Sequence, residues 1–283
     1  MATLTTFQTG GNAAYVFRPQ TAQGLRFAVE AARSSPLPYA IVGNGSNLLA
    51  PDADFRGILI VTTDLKGIKV EGNRITAEAG ASLSRVALAA MKAGLTGLEF
   101  AYGIPGTVGG ALCMNAGAYG GEMKDVVESV TFLDSSFANV TLRNDELAFG
   151  YRESYFQHHP SVICACTLLL TEGDTALIKE TMDTLMSRRS SAQPLSLPSA
   201  GSTFRRPQNG YAAHLIDVSG LKGFRVGGAS VSEKHAGFVV NDRNGTTSDI
   251  LAVIDHIRST VLEKQGVLLE REVQLLEELV RNT

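Results

Sequence analysis

The chain has 283 residues, of which 44% are hydrophobic and 19% charged, and its formal net charge is −3. This length and composition predict a globular protein of about two domains. The charge gives no reason to expect nucleic acid or an acidic membrane surface as a partner, so an anionic ligand must be bound by a local group of basic side chains.

The cysteines and the N-terminal residues indicate the compartment. Cys113, Cys164 and Cys166 have no disulfide-framework spacing, and the last two lie in an apolar stretch that predicts inert core thiols. The opening residues MATLTTFQTGG have neither a basic residue nor an apolar core, and no apolar run approaches the ~20 residues that cross a bilayer. We therefore expect a cytoplasmic protein without a membrane partner, and no protein partner is evident.

The first part of the chain mixes short strands with helices. In chain order, the predicted elements are a helix at 22–33 capped by Thr21, strands at 39–43 and 57–62, a hairpin at 68–80 that turns at Gly-Asn, a helix at 83–93 between Ser82 and Gly94, and strands at 126–134, 138–145 and 162–173.

The composition changes near residue 174. The remaining predicted elements are a helix at 175–189 with a basic end, a Pro- and Ser-rich connector at 190–202, a helix at 249–265 before Gly266 with Ile250, Val253, Ile254, Ile257 and Val261 on one face, and a strand at 267–276. Strands with so few crossover helices predict an α+β fold rather than a doubly wound sheet.

A glycine-rich turn, GNGSNL at 43–48, follows a predicted strand. It lacks the Lys-Ser/Thr pair of a P-loop and the third glycine of a dinucleotide fingerprint. Consecutive backbone N–H groups, with the side chains of Asn44, Ser46 and Asn47, could still form an anion nest for a pyrophosphate. The alternative is a tight connection between strands.

A second segment, GIPGTVGGALCMNAGAYGG at 103–121, contains seven glycines and no charged residue. Pro105 fixes a turn, and Gly109 and Gly110 allow the backbone to approach a ligand closely. The small residues from Asn115 to Tyr119 continue this surface. We expect the two segments to form one site for a dinucleotide with a flat ring.

Seven motifs in order resemble the UDP-N-acetylenolpyruvoylglucosamine reductases, the flavoenzymes of bacterial peptidoglycan synthesis. They are TTFQTGG, VGNGSNLL, GIPGTVGGALCMNAGAYG, YRESYF, PSAGSTFRRP, GLKGFRVGGASVSEKHAGFVVN and LEREV. The chain is similar to the shorter form of the family, because no tyrosine occurs between Tyr155 and Tyr211. The resemblance implies an FAD-binding domain of the vanillyl-alcohol-oxidase (PCMH) type at 1–174, in two α+β subdomains. A smaller α+β substrate-binding domain follows at 175–283, and its last strand could return to the first domain.

The resemblance also implies the reaction: NADPH reduces a non-covalently bound FAD, which then reduces the enolpyruvyl ether of UDP-N-acetylglucosamine-enolpyruvate to UDP-N-acetylmuramate. Such chemistry needs a fixed cation, a stabiliser of the growing negative charge and a proton donor. The family motifs place these roles on Arg152, Glu272 and Ser202. From residue chemistry alone, Glu270 rivals Glu272, since both would lie on one strand face.

The remaining implied site residues bind the cofactor or the UDP-sugar. The implied cofactor residues are Gly43, Asn44, Gly45, Ser46, Asn47, Leu48, Gly103, Pro105, Gly106, Thr107, Gly109, Gly110, Asn115, Gly117 and Ala118. Arg205, Arg206 and Lys222 are the candidate diphosphate contacts. The five histidines have no metal-ligand spacing, and His235 is expected to be structural.

Two other functions are compatible with parts of the pattern. One is an oxidase of the same fold, although such enzymes often tether flavin through a histidine near the glycine-rich segments, and no histidine precedes His158. The other is a nucleotide-binding module without turnover, against which the three polar residues on catalytic motif positions argue.

Overall fold

The computed structural model describes residues 1–208 and 210–281. The helices of this part are α1 (Ala22–Arg33), α2 (Leu83–Lys92), α3 (Val108–Cys113), α4 (Tyr155–His158), α5 (Thr175–Ala192), α6 (Ala212–Val218), α7 (Thr247–Gln265) and α8 (Leu276–Leu279). The strands are β1 (Ala13–Phe17), β2 (Tyr39–Val42), β3 (Leu48–Leu49), β4 (Phe55–Val61), β5 (Ile68–Glu71), β6 (Arg74–Glu78), β7 (Leu95–Thr96), β8 (Gly117–Ala118), β9 (Gly121–Glu122), β10 (Val127–Leu133), β11 (Asn139–Arg143), β12 (Val162–Leu169), β13 (Thr171–Glu172), β14 (Arg225–Val226), β15 (Ala229–Val231), β16 (Val239–Asn241) and β17 (Gln274–Leu275). The described residues include no helix that is both long and apolar enough to cross a membrane.

The chain divides into two compact units that are not continuous in sequence. Unit 1 comprises Met1–Tyr15, Gly45–Gly57 and Ser190–Arg281, and unit 2 comprises Val16–Asn44 and Ile58–Arg189. The sequence-based division at residue 174 differs from these units, since it assigns the first two segments of unit 1 to the N-terminal domain. That domain boundary stays a prediction.

Unit 2 is built around an antiparallel sheet with strand order β11-β10-β12-β6-β5. Its core contains the fully buried side chains of Ile75, Val86, Leu112, Val130 and Leu168. A second core cluster lies where α1 packs beside the parallel pair β2 and β4. The predicted hairpin is confirmed as β5 and β6, joined through Gly72 at φ +58°.

Unit 1 has α7 as its central helix. The five apolar residues predicted for one face of α7 are all buried, beside the small sheet β14-β15-β16. Gly266 ends the helix in the left-handed conformation at φ +68°, as its sequence position predicts. The last strand, β17, pairs in parallel with β3, so that Gln274 lies opposite Leu48.

Two predicted elements differ from the structure. The strand predicted at 267–276 is reduced to Gln274–Leu275, because its neighbours here are a single bridge at Arg271 and the two-residue strand β3. The segment at 103–121 is not a continuous loop, since it contains α3. Val108, Ala111 and Leu112, spaced i, i+3 and i+4, are buried, and this apolar spacing anchors the short helix.

Asp52 caps the start of α7 within unit 1. Its carboxylate accepts the backbone N–H groups of Thr247 and Ser248 at 2.7 and 2.9 Å and the Ser248 hydroxyl at 2.8 Å. Burial alone would raise the pKa of Asp52, but these hydrogen bonds outweigh it and the pKa is lowered. The ionised carboxylate therefore stabilises the fold above about pH 4, where an unfolded aspartate titrates, and this contribution is lost as the pH falls through the lower folded-state pKa.

We expect Asp52→Ala to lower the free energy of unfolding by about 1–2 kcal/mol at pH 7, because two donors at the start of α7 lose their acceptor. Urea denaturation at pH 7 and pH 3 measures this, and the difference from wild type should shrink at pH 3. Asp255→Ala is the control, since this exposed aspartate on α7 carries the same charge and should change stability by less than about 0.5 kcal/mol. Equal losses in the two variants would contradict the capping role.

Candidate active site

The first two residues of the turn at 43–48, Gly43 and Asn44, contact the second glycine-rich segment within unit 2. The Asn44 side-chain amide donates to the carbonyl of Pro105 at 2.7 Å. A Cβ built on Gly43 would lie only 2.3 Å from Oγ1 of Thr107, so position 43 has no room for a side chain. Within unit 2, the structure thus places Gly43 and Asn44 against Pro105 and Thr107 of the second segment.

The turn at 43–48 has the donors of an anion nest. In the described part of the chain, the backbone N–H groups of residues 44–47 donate to no protein acceptor. Gly45 lies at φ +60°, and a Cβ at this position would be 2.1 Å from the carbonyl oxygen of Leu4. Packing against the backbone of Leu4 therefore requires a glycine at position 45. The unpaired N–H groups themselves fit a pyrophosphate.

Most glycines of the second segment allow protein parts to pack closely. A Cβ on Gly103, Gly109, Gly117 or Gly121 would come within 3.2 Å of a protein atom. Gly110 is different, because it is exposed and its Cβ would make only one ordinary contact, at 3.6 Å. Of these five, Gly110 therefore leaves the most room for a flat ligand, while the others support the shape of the segment.

Asn115 joins the second segment to its surroundings. The side chain is fully buried; its Nδ2 donates to Oε2 of Glu122 and to the carbonyl of Gly150, both at 2.8 Å, and its Oδ1 accepts from the N–H of Lys124 at 2.9 Å. These bonds use both N–H groups and one acceptor position of the side-chain amide, and the side chain is fully buried. The side chain therefore acts as a support, and a cofactor contact from Asn115 is expected from its backbone.

Arg152 lies beside this segment in a strained turn. Its φ is +56°, a region that non-glycine residues seldom adopt. Nε2 of Gln157 donates to the Arg152 carbonyl at 2.9 Å and to the Cys113 carbonyl at 2.7 Å, which holds the turn. The half-buried guanidinium of Arg152 donates to the carbonyl of Gly117 at 3.5 Å. A fixed cation thus lies against the glycine-rich segment.

The AGST and LEREV motifs pair backbone to backbone within unit 1. The N–H of Glu272 donates to the carbonyl of Thr203 at 2.8 Å, and the N–H of Arg205 donates to that of Glu270 at 2.9 Å. Thr203 is buried, and its Oγ1 accepts from the N–H of Val239 at 3.1 Å. This pairing holds the backbone of Thr203, which follows the exposed Ser202, beside the backbone of Glu272.

The two candidate glutamates differ in their surroundings. Glu272 is half-buried, and its carbonyl accepts from Nδ2 of Asn47 at 3.1 Å, whereas Glu270 is exposed. The carbonyl of Asn47 in turn accepts from the N–H of Gln274 at 3.0 Å. Asn47 therefore holds the backbone around Glu272, which favours Glu272 over Glu270 as the acidic group of the site.

The basic residues of unit 1 differ in their contacts. The guanidinium of Arg206 lies 4.5 Å from the ring centroid of the exposed Tyr211, and Arg205 is half-buried. Lys222 forms an ion pair with Asp217 at 2.8 Å, so a phosphate would compete with that carboxylate. His235 accepts the N–H of Gly237 at 3.2 Å and is partly buried, which agrees with a structural role.

Sequence reasoning missed Gln157 and Arg189, and for Asn47, which it assigned to the cofactor site, it missed the bond to the Glu272 carbonyl. The side chains of Gln157 and Asn47 donate to backbone carbonyls, and no local sequence pattern predicts either bond. Arg189 was attributed to the basic end of its helix. The structure places its side chain against Gly103, a contact that the glycine content of the segment alone could not reveal.

Comparisons with known proteins agree with this description. The model of an FAD binding domain matches residues 13–136, and that of the UDP-N-acetylenolpyruvoylglucosamine reductase C-terminal domain matches residues 193–276. The enzyme of that name from Exiguobacterium sibiricum is 47% identical over 269 residues, which cover 95% of this chain and 88% of the relative. The one from Caldanaerobacter subterraneus is 46% identical over 274 residues, covering 97% and 91%.

A solved structure shows the same fold over nearly the whole chain. It is the UDP-N-acetylenolpyruvylglucosamine reductase (MurB) of Thermus caldophilus, with a TM-score of 0.84, 34% identity and coverage of 97% of this chain and 96% of that one. The predicted α+β fold with an FAD-binding domain is confirmed, and the protein is an FAD-dependent oxidoreductase. The chain belongs to the UDP-N-acetylenolpyruvoylglucosamine reductase family.

The contact between Gly43 and Thr107 gives a test of the cofactor site. We expect Gly43→Ala to weaken FAD binding about tenfold or more, because overpacking costs about 1–3 kcal/mol and separates the two segments. Fluorescence of FAD released on dilution measures the Kd. Thr107→Ala removes the hydroxyl that the new methyl group would strike, so the double variant should bind FAD better than Gly43→Ala alone. Additive losses in the double variant would contradict the steric explanation.

Proposed function

We propose that this protein reduces the enolpyruvyl ether of UDP-N-acetylglucosamine-enolpyruvate to UDP-N-acetylmuramate, with NADPH as the hydride donor, in the synthesis of peptidoglycan precursors. The observation that carries this is the 47% identity, over 95% of the chain, to an enzyme named for this substrate. Bound FAD supplies an acceptor for the hydride of NADPH and then a hydride donor to the substrate.

The residues of the glycine-rich segments fit FAD. The unpaired N–H groups of 44–47 suit its pyrophosphate, and the exposed backbone at Gly110 leaves room for a flat ring system. The cofactor contacts that we propose are Gly43, Asn44, Gly45, Ser46, Asn47, Leu48, Gly103, Pro105, Gly106, Thr107, Gly109, Gly110, Asn115, Gly117 and Ala118. Asn115 takes part through its backbone.

Arg152 is proposed as the cation that stabilises the substrate carboxylate as negative charge grows on it. Its guanidinium is planar and permanently charged, and so suits a carboxylate oxygen. The support for this role is the bond that its side chain makes to Gly117 and the hold of Gln157 on its backbone. A cation held in place needs little reorganisation when charge develops.

Ser202 is proposed as the proton donor to the substrate carbon, and Glu272 as the acidic group that stabilises the charged intermediate with Arg152. The exposure of Ser202 leaves its hydroxyl accessible to a substrate. The backbone bond from Glu272 to Thr203 keeps the two motifs in register. A serine is a weak acid, but the carbanion-like intermediate is a strong base, so the proton transfer is feasible.

Arg205, Arg206 and Lys222 are the proposed contacts to the substrate diphosphate. An arginine guanidinium can donate two parallel hydrogen bonds to phosphate oxygens. The guanidinium of Arg206 already lies over the ring of Tyr211. A cytoplasmic location belongs to the same proposal. Its support is that Cys164 and Cys166 are free thiols, as is usual in a reducing compartment.

Stopped-flow absorbance of the flavin tests both the activity and the role of Ser202. In the wild type, NADPH should bleach the oxidised flavin band and the enolpyruvyl substrate should restore it. Ser202→Ala should leave bleaching within a few-fold of wild type, because that step needs no proton donor to carbon. Reoxidation by substrate should slow by about 10²–10⁴-fold, which is the typical contribution of a positioned general acid.

Ser202→Cys is the matched variant, since a thiol can still donate a proton, and it should recover part of the reoxidation rate. Reoxidation of Ser202→Ala at the wild-type rate would assign the proton to water or Glu272. Failure of the substrate to reoxidise the wild-type flavin would instead contradict the proposed activity.

Replacing either of the two arginines among the diphosphate contacts should affect binding more than turnover. Arg205→Ala and Arg206→Ala should raise the KM for the UDP-sugar more than they lower kcat, because phosphate contacts far from the reacting carbon are alike in the ground and transition states. Steady-state kinetics measures both constants. The exposed Arg243 of unit 1 gives a charge-matched control, and Arg243→Ala should leave KM within about twofold. An unchanged KM in both test variants would rule the assignment out.

A further inference from the structure

Arg189, near the end of α5, packs onto the start of the second glycine-rich segment. A Cβ built on Gly103 would lie 2.9 Å from Cδ of Arg189, 3.6 Å from its Nη1 and 3.6 Å from Sδ of Met186. The side chain thus fills the space that the missing side chain of Gly103 leaves. All three residues belong to unit 2.

One nitrogen of the partly buried Arg189 guanidinium, Nε, has no hydrogen-bond partner among the described residues. This Nε atom is itself buried. Burial lowers the pKa of Arg189, and the nearby Tyr119 side chain opposes this shift only in part. Arg74 and Arg225 show the contrast, since each donates two hydrogen bonds to one carboxylate.

An unpaired buried donor on a charged group is costly. A buried donor left without an acceptor costs about 1–3 kcal/mol, and more when it carries charge. Proteins accept such a cost at sites where a ligand supplies the missing partner. An anion or another strong acceptor that reaches the backbone beside Gly103 and Tyr119 would supply the missing partner of Nε.

We propose that Arg189 binds FAD, with its Nε–H donating to an anionic group of the cofactor. The proposal rests on the proposed function only in taking FAD as the ligand of this segment. Two parts of FAD share the required chemistry: a phosphate of the pyrophosphate, and the isoalloxazine ring, which becomes anionic on reduction. A cation at the ring would also tune its reduction potential.

Three variants of the holoenzyme test this role. Arg189→Met keeps the apolar stem but removes the charge and the donor, and Arg189→Lys keeps the charge without the Nε–H. Arg188→Met is the control, because this neighbouring arginine is exposed and its loss changes the net charge equally. The measurements are the Kd of FAD from dilution, the Ki of ADP as a competitor of FAD, and the midpoint potential from reductive titration.

We expect Arg189→Met to weaken the binding of oxidised or reduced FAD about tenfold or more, Arg189→Lys to show a smaller loss, and Arg188→Met to stay within twofold. If a phosphate is the partner, the Ki of ADP rises with the Kd of FAD and the potential is unchanged. If the reduced ring is the partner, the Ki of ADP is unchanged. The potential then falls by about 30 mV for each tenfold preferential loss of the reduced form, since two electrons are transferred.

The proposal is overturned if the Kd, the Ki and the potential of both Arg189 variants equal those of wild type, or if Arg188→Met loses as much affinity as Arg189→Met. A rise confined to the KM for NADPH also overturns it, because the ligand would then be a different anion. Should Arg189→Met fail to fold, Arg189→Lys decides alone. A wild-type flavin that NADPH cannot bleach would refute the activity and leave the measurements of FAD affinity valid.

Discussion

The contact between Gly43 and Thr107 determines how the cofactor site of unit 2 is built. Because position 43 has no side chain, Thr107 can approach the end of β2 and start α3 there. The N–H groups of Val108 and Gly109 donate to the carbonyls of Ala81 and Ala79, at 2.9 and 2.7 Å, so the helix is fixed to the chain beyond β6. α3 then leads to Asn115, whose side chain donates to the carbonyl of Gly150, two residues before Arg152. The position of the candidate cation therefore depends on a glycine more than a hundred residues earlier in the chain.

The elements that could be predicted are those whose pattern is local. α1, the β5–β6 hairpin and α7 have an apolar period, a turn or a cap within their own residues, and the structure agrees closely with their predicted bounds. β17 and β3 could not be predicted well, because two residues carry no period and their pairing depends on a partner over 200 residues away. The same holds for the extended segment around Glu272, which is fixed by Thr203 and Asn47.

Which residues form the site was predicted better than why those residues are required there. The resemblance to a family supplied Arg152, Ser202 and Glu272, and the paired backbones of the last two motifs fit that choice. The glycine-rich segments were interpreted as bare backbone for a ligand, yet a Cβ built on Gly43 or Gly45 would lie 2.3 or 2.1 Å from a protein atom. Sequence shows where glycine is required, but whether a ligand or another part of the chain requires it is a question of tertiary packing.

Polar groups that bond to other protein groups support the fold, and they differ from the polar groups that remain available to a ligand. The buried Asn115 and Thr203 and the partly buried Gln157 bond to other protein groups through their side chains, as is usual for supporting residues. The N–H groups of 44–47 and the Nε of Arg189 have no such partner within the described chain. Folding alone gains nothing from leaving these donors unpaired, and for a buried guanidinium it pays a penalty. Each set of donors, taken by itself, suits an anionic or strongly accepting group.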